Sequence, residues 1–209
     1  MPPDPARVFA YPAAPHARRH GPRGYAEDEN YKPWLRDEFD YRCVYCLCRE
    51  IWFHAGHRGF SVEHLVPLSE APPGLTEYDT LAYACCQCNS TRGVGPLPLH
   101  PADAPGEHLE VLPDGTIRAL TLVGAGFIRL CDLQRPDLVS FRRRILDTIR
   151  ILVAKRDPEA SDLLRRYLAY PDDLPDLSSL HPPGGNSREE GKERSAFVRR
   201  RRGELPPTC

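Results

Sequence analysis

The sequence predicts an α+β fold, on three observations. Residues 107–133 alternate as short strands around Asp114-Gly115. Leu138, Phe141, Ile145, Ile149 and Leu152 recur at helical spacing. Six of the 8 cysteines fall into two tight clusters, CVYCLC (Cys43, Cys46, Cys48) and CCQC (Cys85, Cys86, Cys88), leaving Cys131 and Cys209 scattered. With 41% apolar and 27% charged residues, the 209-residue chain can bury a core, while its 23 prolines concentrate toward the two ends. No run approaches the roughly 20 apolar residues of a membrane span, and the N-terminus lacks the apolar stretch of a signal peptide. The expectation is a cytoplasmic protein with no membrane partner. Of the 28 basic residues only Lys32, Lys155 and Lys192 are lysines. Arginine suits bidentate phosphate contacts, although a GC-rich genome produces the same bias.

In chain order, residues 1–27 are rich in Pro, Arg and Ala without apolar periodicity and are expected to form an arm with little fixed structure. A helix follows, with Asp28 as N-cap, Tyr31, Trp34, Leu35 and Phe39 at helical spacing, and Pro33 tolerated in the first turn. FSVEHL (residues 60–65) alternates as a strand, and the polar segment from Pro67 to Asp79 reads as a loop. CCQCNSTRG is helical and ended by Gly93. EHLEVL and TIRALTLV form a hairpin, and GAGFIRLCDL is expected as a further extended piece. After Arg135-Pro136 comes a long helix whose apolar stripe lies opposite an arginine-rich face carrying Arg142, Arg143 and Arg144; Leu163, Leu164, Tyr167 and Leu168 mark another after Pro158. The expected organisation is an arm over 1–27, a cysteine-containing core over 28–95, a strand-plus-helix extension packed on it over 96–170, and a disordered basic tail over 171–209.

A C-x-x-C segment turns both thiolates toward one ion, and two such segments complete a tetrahedral four-thiolate zinc site. Only Cys43 with Cys46 and Cys85 with Cys88 have the two-residue gap, so these four are the candidate ligands; Cys48 and Cys86 read as spare thiols. Four thiolates saturate zinc, so this ion holds the fold and chemistry is sought between the pairs. There VEHLVPLS sets Glu63 beside His64, and Asn89 directly follows the second pair.

This arrangement, from DEFDYRCVYC through FSVEHLVPLS to LAYACCQCNSTRG, resembles the HNH endonuclease family: a cysteine pair, a strand ending in Asp-His or Glu-His, a loop, then a cysteine pair followed by Asn or His. The segment DGTIRALTLVGAGFIRLCDLQRPDLVSFRR resembles, more weakly, an extension found in many bacterial members. The resemblance implies a ββα-metal (His-Me finger) core stapled by the zinc site, followed by the β-hairpin and C-terminal helices. It implies His64 as the general base and Glu63 with Asn89 as ligands of a catalytic Mg²⁺ or Mn²⁺. The substrate class it implies is DNA, expected to be double-stranded, cut to 5′-phosphate and 3′-hydroxyl ends.

The sequence departs from the family pattern at the middle Asn, which orients the loop holding the base: Thr80 stands there, with Asp79 one residue away. If neither substitutes, a catalytically degenerate, zinc-stabilised nucleic-acid-binding module is the alternative. A thiol-redox protein is a third reading and requires a C-x-x-C pair free of metal. Candidate phosphate contacts are Arg92 and the run Arg199, Arg200, Arg201 and Arg202, in a segment, Arg188–Arg202, with seven basic and three acidic residues. Arg142, Arg143 and Arg144 are the next candidates. His54 and His57 read as a solvated or substrate-side loop, and His100 and His108 are given no role.

Overall fold

Pro33 sets the first turn of helix α1 (Lys32–Glu38), which continues a tight turn over Asp28–Tyr31 and buries Trp34 and Leu35 completely. The computed structural model describes residues 7–66, 77–93 and 95–208. After α1 the chain enters a cysteine knuckle closed by a bridge between Arg42 and Arg49; Leu47 takes a left-handed φ of 62°, letting its N–H donate to the Cys43 carbonyl at 2.9 Å. Val44 N–H donates to Tyr83 O, which ties the knuckle to the sheet.

That sheet pairs β1 (Phe60–His64) with β2 (Leu81–Cys85), antiparallel, from Phe60 opposite Cys85 to His64 opposite Leu81. All five β2 residues are buried, so LAYAC shows no polar alternation to announce a strand. Helix α2 (Cys86–Arg92) starts as β2 ends, packs on both strands and stops at Gly93, whose φ is 66°. The loop expected from residue 67 lies outside the described residues as far as 76; its end is a tight turn, Tyr78–Thr80.

The hairpin forms as expected, β3 (Leu109–Val111) against β4 (Ile117–Ala119). Gly115 is required in its turn: φ is 86°, and a Cβ would lie 2.6 Å from Val139 O. The expected extended piece after it is instead helix α3 (Leu122–Leu130). The Thr121 hydroxyl caps it by accepting from Gly124 N–H, and Gly124 lets the helix approach the hairpin so closely that a Cβ would sit 2.2 Å from His108 O. The long helix is α4 (Pro136–Lys155), and α5 (Pro158–Tyr167), capped by Asp157, packs back on it.

Among the described residues, the arm from residue 7 and the tail as far as 208 pack on the rest of the chain. Val8, Phe9 and Tyr11 are buried in the same apolar cluster as Trp34, Leu81 and Ile149. The arm is held by Asp37 and Glu38 at the end of α1. Glu38 accepts from His16 Nε2, the Arg19 and His20 amides and the Tyr78 hydroxyl, at 2.8–3.0 Å. Burial would raise this carboxyl, but His16, Arg19 N–H and His20 outweigh it and hold Glu38 at about 2. Asp37 accepts from His20, the Tyr41 hydroxyl and the amide of Ala196, which anchors the tail; Arg36 pairs with Glu50 and Asp173. The tail continues as a turn at Leu177–Ser179 and short helices α6 (Glu190–Glu193) and α7 (Ala196–Arg201), and it bridges the arm at Pro22 and Asn186. No described helix is long and apolar enough to cross a membrane.

Candidate metal centre and histidine site

Cys43 and Cys46 from the knuckle meet Cys85, at the end of β2, and Cys88, one turn into α2. The four Sγ atoms lie within 4.8 Å of one another and are buried, so one soft, tetrahedral ion fits among them. Burial pushes the Cys43 thiol up, whereas hydrogen bonds from Cys43, Cys46, Cys85 and Arg135 hold Cys88 well below the ordinary thiol range. The Arg135 contact is direct, Nη2 to Cys88 Sγ at 3.4 Å. Arg142 adds a second positive charge near the cage: it is fully buried, donates to the Gly115 and Leu133 carbonyls at 2.6 Å, and interacts electrostatically with Cys46, Cys48 and Cys88. A four-thiolate zinc centre is dianionic, and these guanidiniums offset that charge. Cys48 is buried outside the cage, Cys86 is exposed, and burial pushes Cys131 up to about 12.

The strand period decides the rest of the site. Glu63 and His64 are consecutive in β1, so their side chains leave opposite faces of the sheet. His64 keeps 27% of its side-chain surface, and its Nε2 lies 2.8 Å from the Asp28 carboxylate in the turn before α1. Glu63 is 2% exposed. Its Oε1 accepts from the Tyr45 hydroxyl at 3.0 Å and lies 3.2 Å from Arg92 Nε, while Oε2 is buried without a hydrogen-bond partner. Burial, opposed by Arg92 and Tyr45, raises this carboxyl to about 7.

Arg92, Glu63 and Asn89 each have partners within the protein. Arg92 is buried against Glu63, with its remaining nitrogens on the Gly93 and Leu65 carbonyls. Glu63 Oε1 already faces a guanidinium, and the Asn89 amide nitrogen donates to Ser61 Oγ and Val62 O, fastening α2 to β1. The four-cysteine group is the one place among the described residues where three or more His, Cys, Asp or Glu ligand atoms converge.

Among the described residues, the side chains of Thr80 and Asp79 bond elsewhere than to His64. The Thr80 hydroxyl donates to Glu77 O and Asp79 forms a double hydrogen bond with Arg188; the Thr80 main-chain carbonyl accepts from Leu65 N–H at 2.9 Å, extending the ladder past His64. His57 is 3.5 Å from Asp173 in an exposed pair. In the basic run, Arg200 donates to the Pro171 and Asp172 carbonyls, Arg202 pairs with Glu193, Arg199 donates to Glu204 O and Arg201 covers Phe197. On α4, Arg142 is buried, whereas Arg143 donates to Asp114 O and Arg144 lies over Phe141. The partners that spacing does not reveal are Asp28, Tyr45 and Arg135.

Fold and site together define an α+β protein with a four-cysteine cluster positioned to hold a metal ion. Comparison with protein-family models, curated proteins and solved structures finds no match.

Proposed function

We propose that the chain is an HNH-type endonuclease that hydrolyses phosphodiester bonds of double-stranded DNA, with His64 as general base. The observation that carries this reading is the placement of His64. It stands at the end of β1 in a strand–strand–helix unit hung on the cysteine cage, accessible to solvent and paired with a carboxylate. In this mechanism His64 takes a proton from water as the oxygen attacks phosphorus, and the bond to the 3′ oxygen breaks, that oxygen taking a proton from solvent water, leaving 5′-phosphate and 3′-hydroxyl ends. Zinc held by Cys43, Cys46, Cys85 and Cys88 would fix the relative positions of the knuckle, β2 and α2, with no open position left for chemistry. The resemblance implies Mg²⁺ or Mn²⁺, which would stabilise charge developing on the phosphate. Because Glu63 and Asn89 have partners within the protein, no step here is assigned through them. Arg199 and Arg201 on α7 are the proposed phosphate contacts, with Arg200 and Arg202 more heavily engaged within the chain.

The second reading, a zinc-stabilised DNA-binding module without catalysis, is favoured by the burial of Glu63 against Arg92. Supercoiled plasmid incubated with the protein and Mg²⁺ or Mn²⁺, beside a His64→Ala control and a duplex mobility shift of both proteins, separates the two. The nuclease nicks plasmid and loses this on substitution while still shifting duplex; the binding module shifts duplex and never nicks.

A further inference from the structure

We infer that Asp28, and not the adjacent Glu63, is the carboxylate that works with His64: it fixes the imidazole in one tautomer and orientation, making Asp28 a positioning residue for the base. The inference rests on the nuclease reading for its kinetic consequence and on geometry for the pairing. Asp28 Oδ2 and His64 Nε2 are 2.8 Å apart, with side chains 33% and 27% exposed, so both are open to solvent on one side. Glu63 leaves the other face of β1 and is consumed by Tyr45 and Arg92. An ionised carboxylate only accepts hydrogen bonds, so the shared proton sits on Nε2, and Nδ1 of the neutral ring is the atom left to receive a proton from water. Asp28 is itself held by its place in the turn Asp28–Tyr31, which is continuous with α1 and therefore with the buried Trp34. Thirty-six positions separate the partners, and nothing in the glutamate–histidine dipeptide points to the aspartate.

The test uses the full-length, zinc-loaded protein in single-turnover cleavage at saturating plasmid and Mg²⁺ or Mn²⁺. Asp28→Asn, nearly isosteric, is expected to slow cleavage about 10- to 10²-fold, as loss of a carboxylate that orients a working histidine does, with DNA affinity unchanged. Asp28→Glu recovers part of the rate. Because the aspartate acts through the histidine, Asp28→Asn adds no loss in a His64→Ala background. A wild-type rate for Asp28→Asn, losses that multiply with His64→Ala, or a slow rate cured by raising the divalent-ion concentration each overturns the inference, the last by making Asp28 an ion ligand. If instead His64→Ala cleaves as fast as wild type, or no protein cleaves, the nuclease reading fails and the ¹⁵N resonances of the His64 ring decide the pairing. Protonated Nε2 in the wild type, giving way to mixed tautomers in Asp28→Asn, supports it; identical ring signals in the two proteins overturn it.

Discussion

Glu38→Gln is the substitution that most sharply measures how the ends of the chain are held. The Glu38 side chain is fully buried and accepts from the arm through His16, Arg19 and His20 and from the site's flank through Tyr78. Its carboxyl falls from 4.5 to about 2 on folding. At roughly 1.4 kcal/mol for each tenfold change, ionised Glu38 contributes about 3 kcal/mol. The folded value lies below the unfolded one, so this contribution is complete above pH 4.5 and is lost as pH falls from 4.5 toward 2. Acid also releases zinc by protonating thiolates, but it does so in both proteins, and their difference isolates Glu38. Urea unfolding followed by tryptophan fluorescence should show Glu38→Gln less stable by about 3 kcal/mol at pH 7 and pH 5, with the gap shrinking to roughly half by pH 3. A gap under about 0.5 kcal/mol at pH 7, or one that does not change with pH, would refute the coupling of arm to helix.

The cage predicts one zinc per chain by elemental analysis, lost with the fold in Cys43→Ser or Cys88→Ser but retained in Cys86→Ser, whose thiol is exposed outside it. Gly124→Ala should lower stability by about 1–3 kcal/mol in urea unfolding, because the added methyl meets His108 O and α3 must lift from the hairpin. Arg199→Ala with Arg201→Ala should reduce the slope of log affinity against log salt by about 0.9 for each arginine that reaches a phosphate, while leaving the single-turnover rate on saturated DNA unchanged; an unaltered slope removes α7 from the interface.

Local signals were legible in the sequence and long-range ones were not. The cysteine pairs, β1, α2, the hairpin and α4 follow from spacing or periodicity within a few residues. Strand β2 carries no alternation because both its faces are covered, and α3 hides behind GAG, whose glycines lower helix propensity while Gly124 permits close packing on His108. Arm and tail have the composition of unpacked chain, yet their order depends on bonds to Asp37 and Glu38 from residues as distant as Ala196. In the site, His64 and the cage were visible, but alternation turns Glu63 inward, and Arg92 and Arg142, which read as candidate phosphate contacts, are buried by partners far along the chain.

The central claim, that His64 is the base of a phosphodiester hydrolase, is tested most directly by the single-turnover rate at which zinc-loaded protein converts supercoiled plasmid to nicked circles with Mg²⁺ or Mn²⁺. The expected result is conversion by the wild type and a rate about 10²- to 10⁴-fold lower for His64→Ala, with the same zinc content and the same affinity for duplex. Equal rates for the two proteins, or no conversion by the wild type, would contradict it.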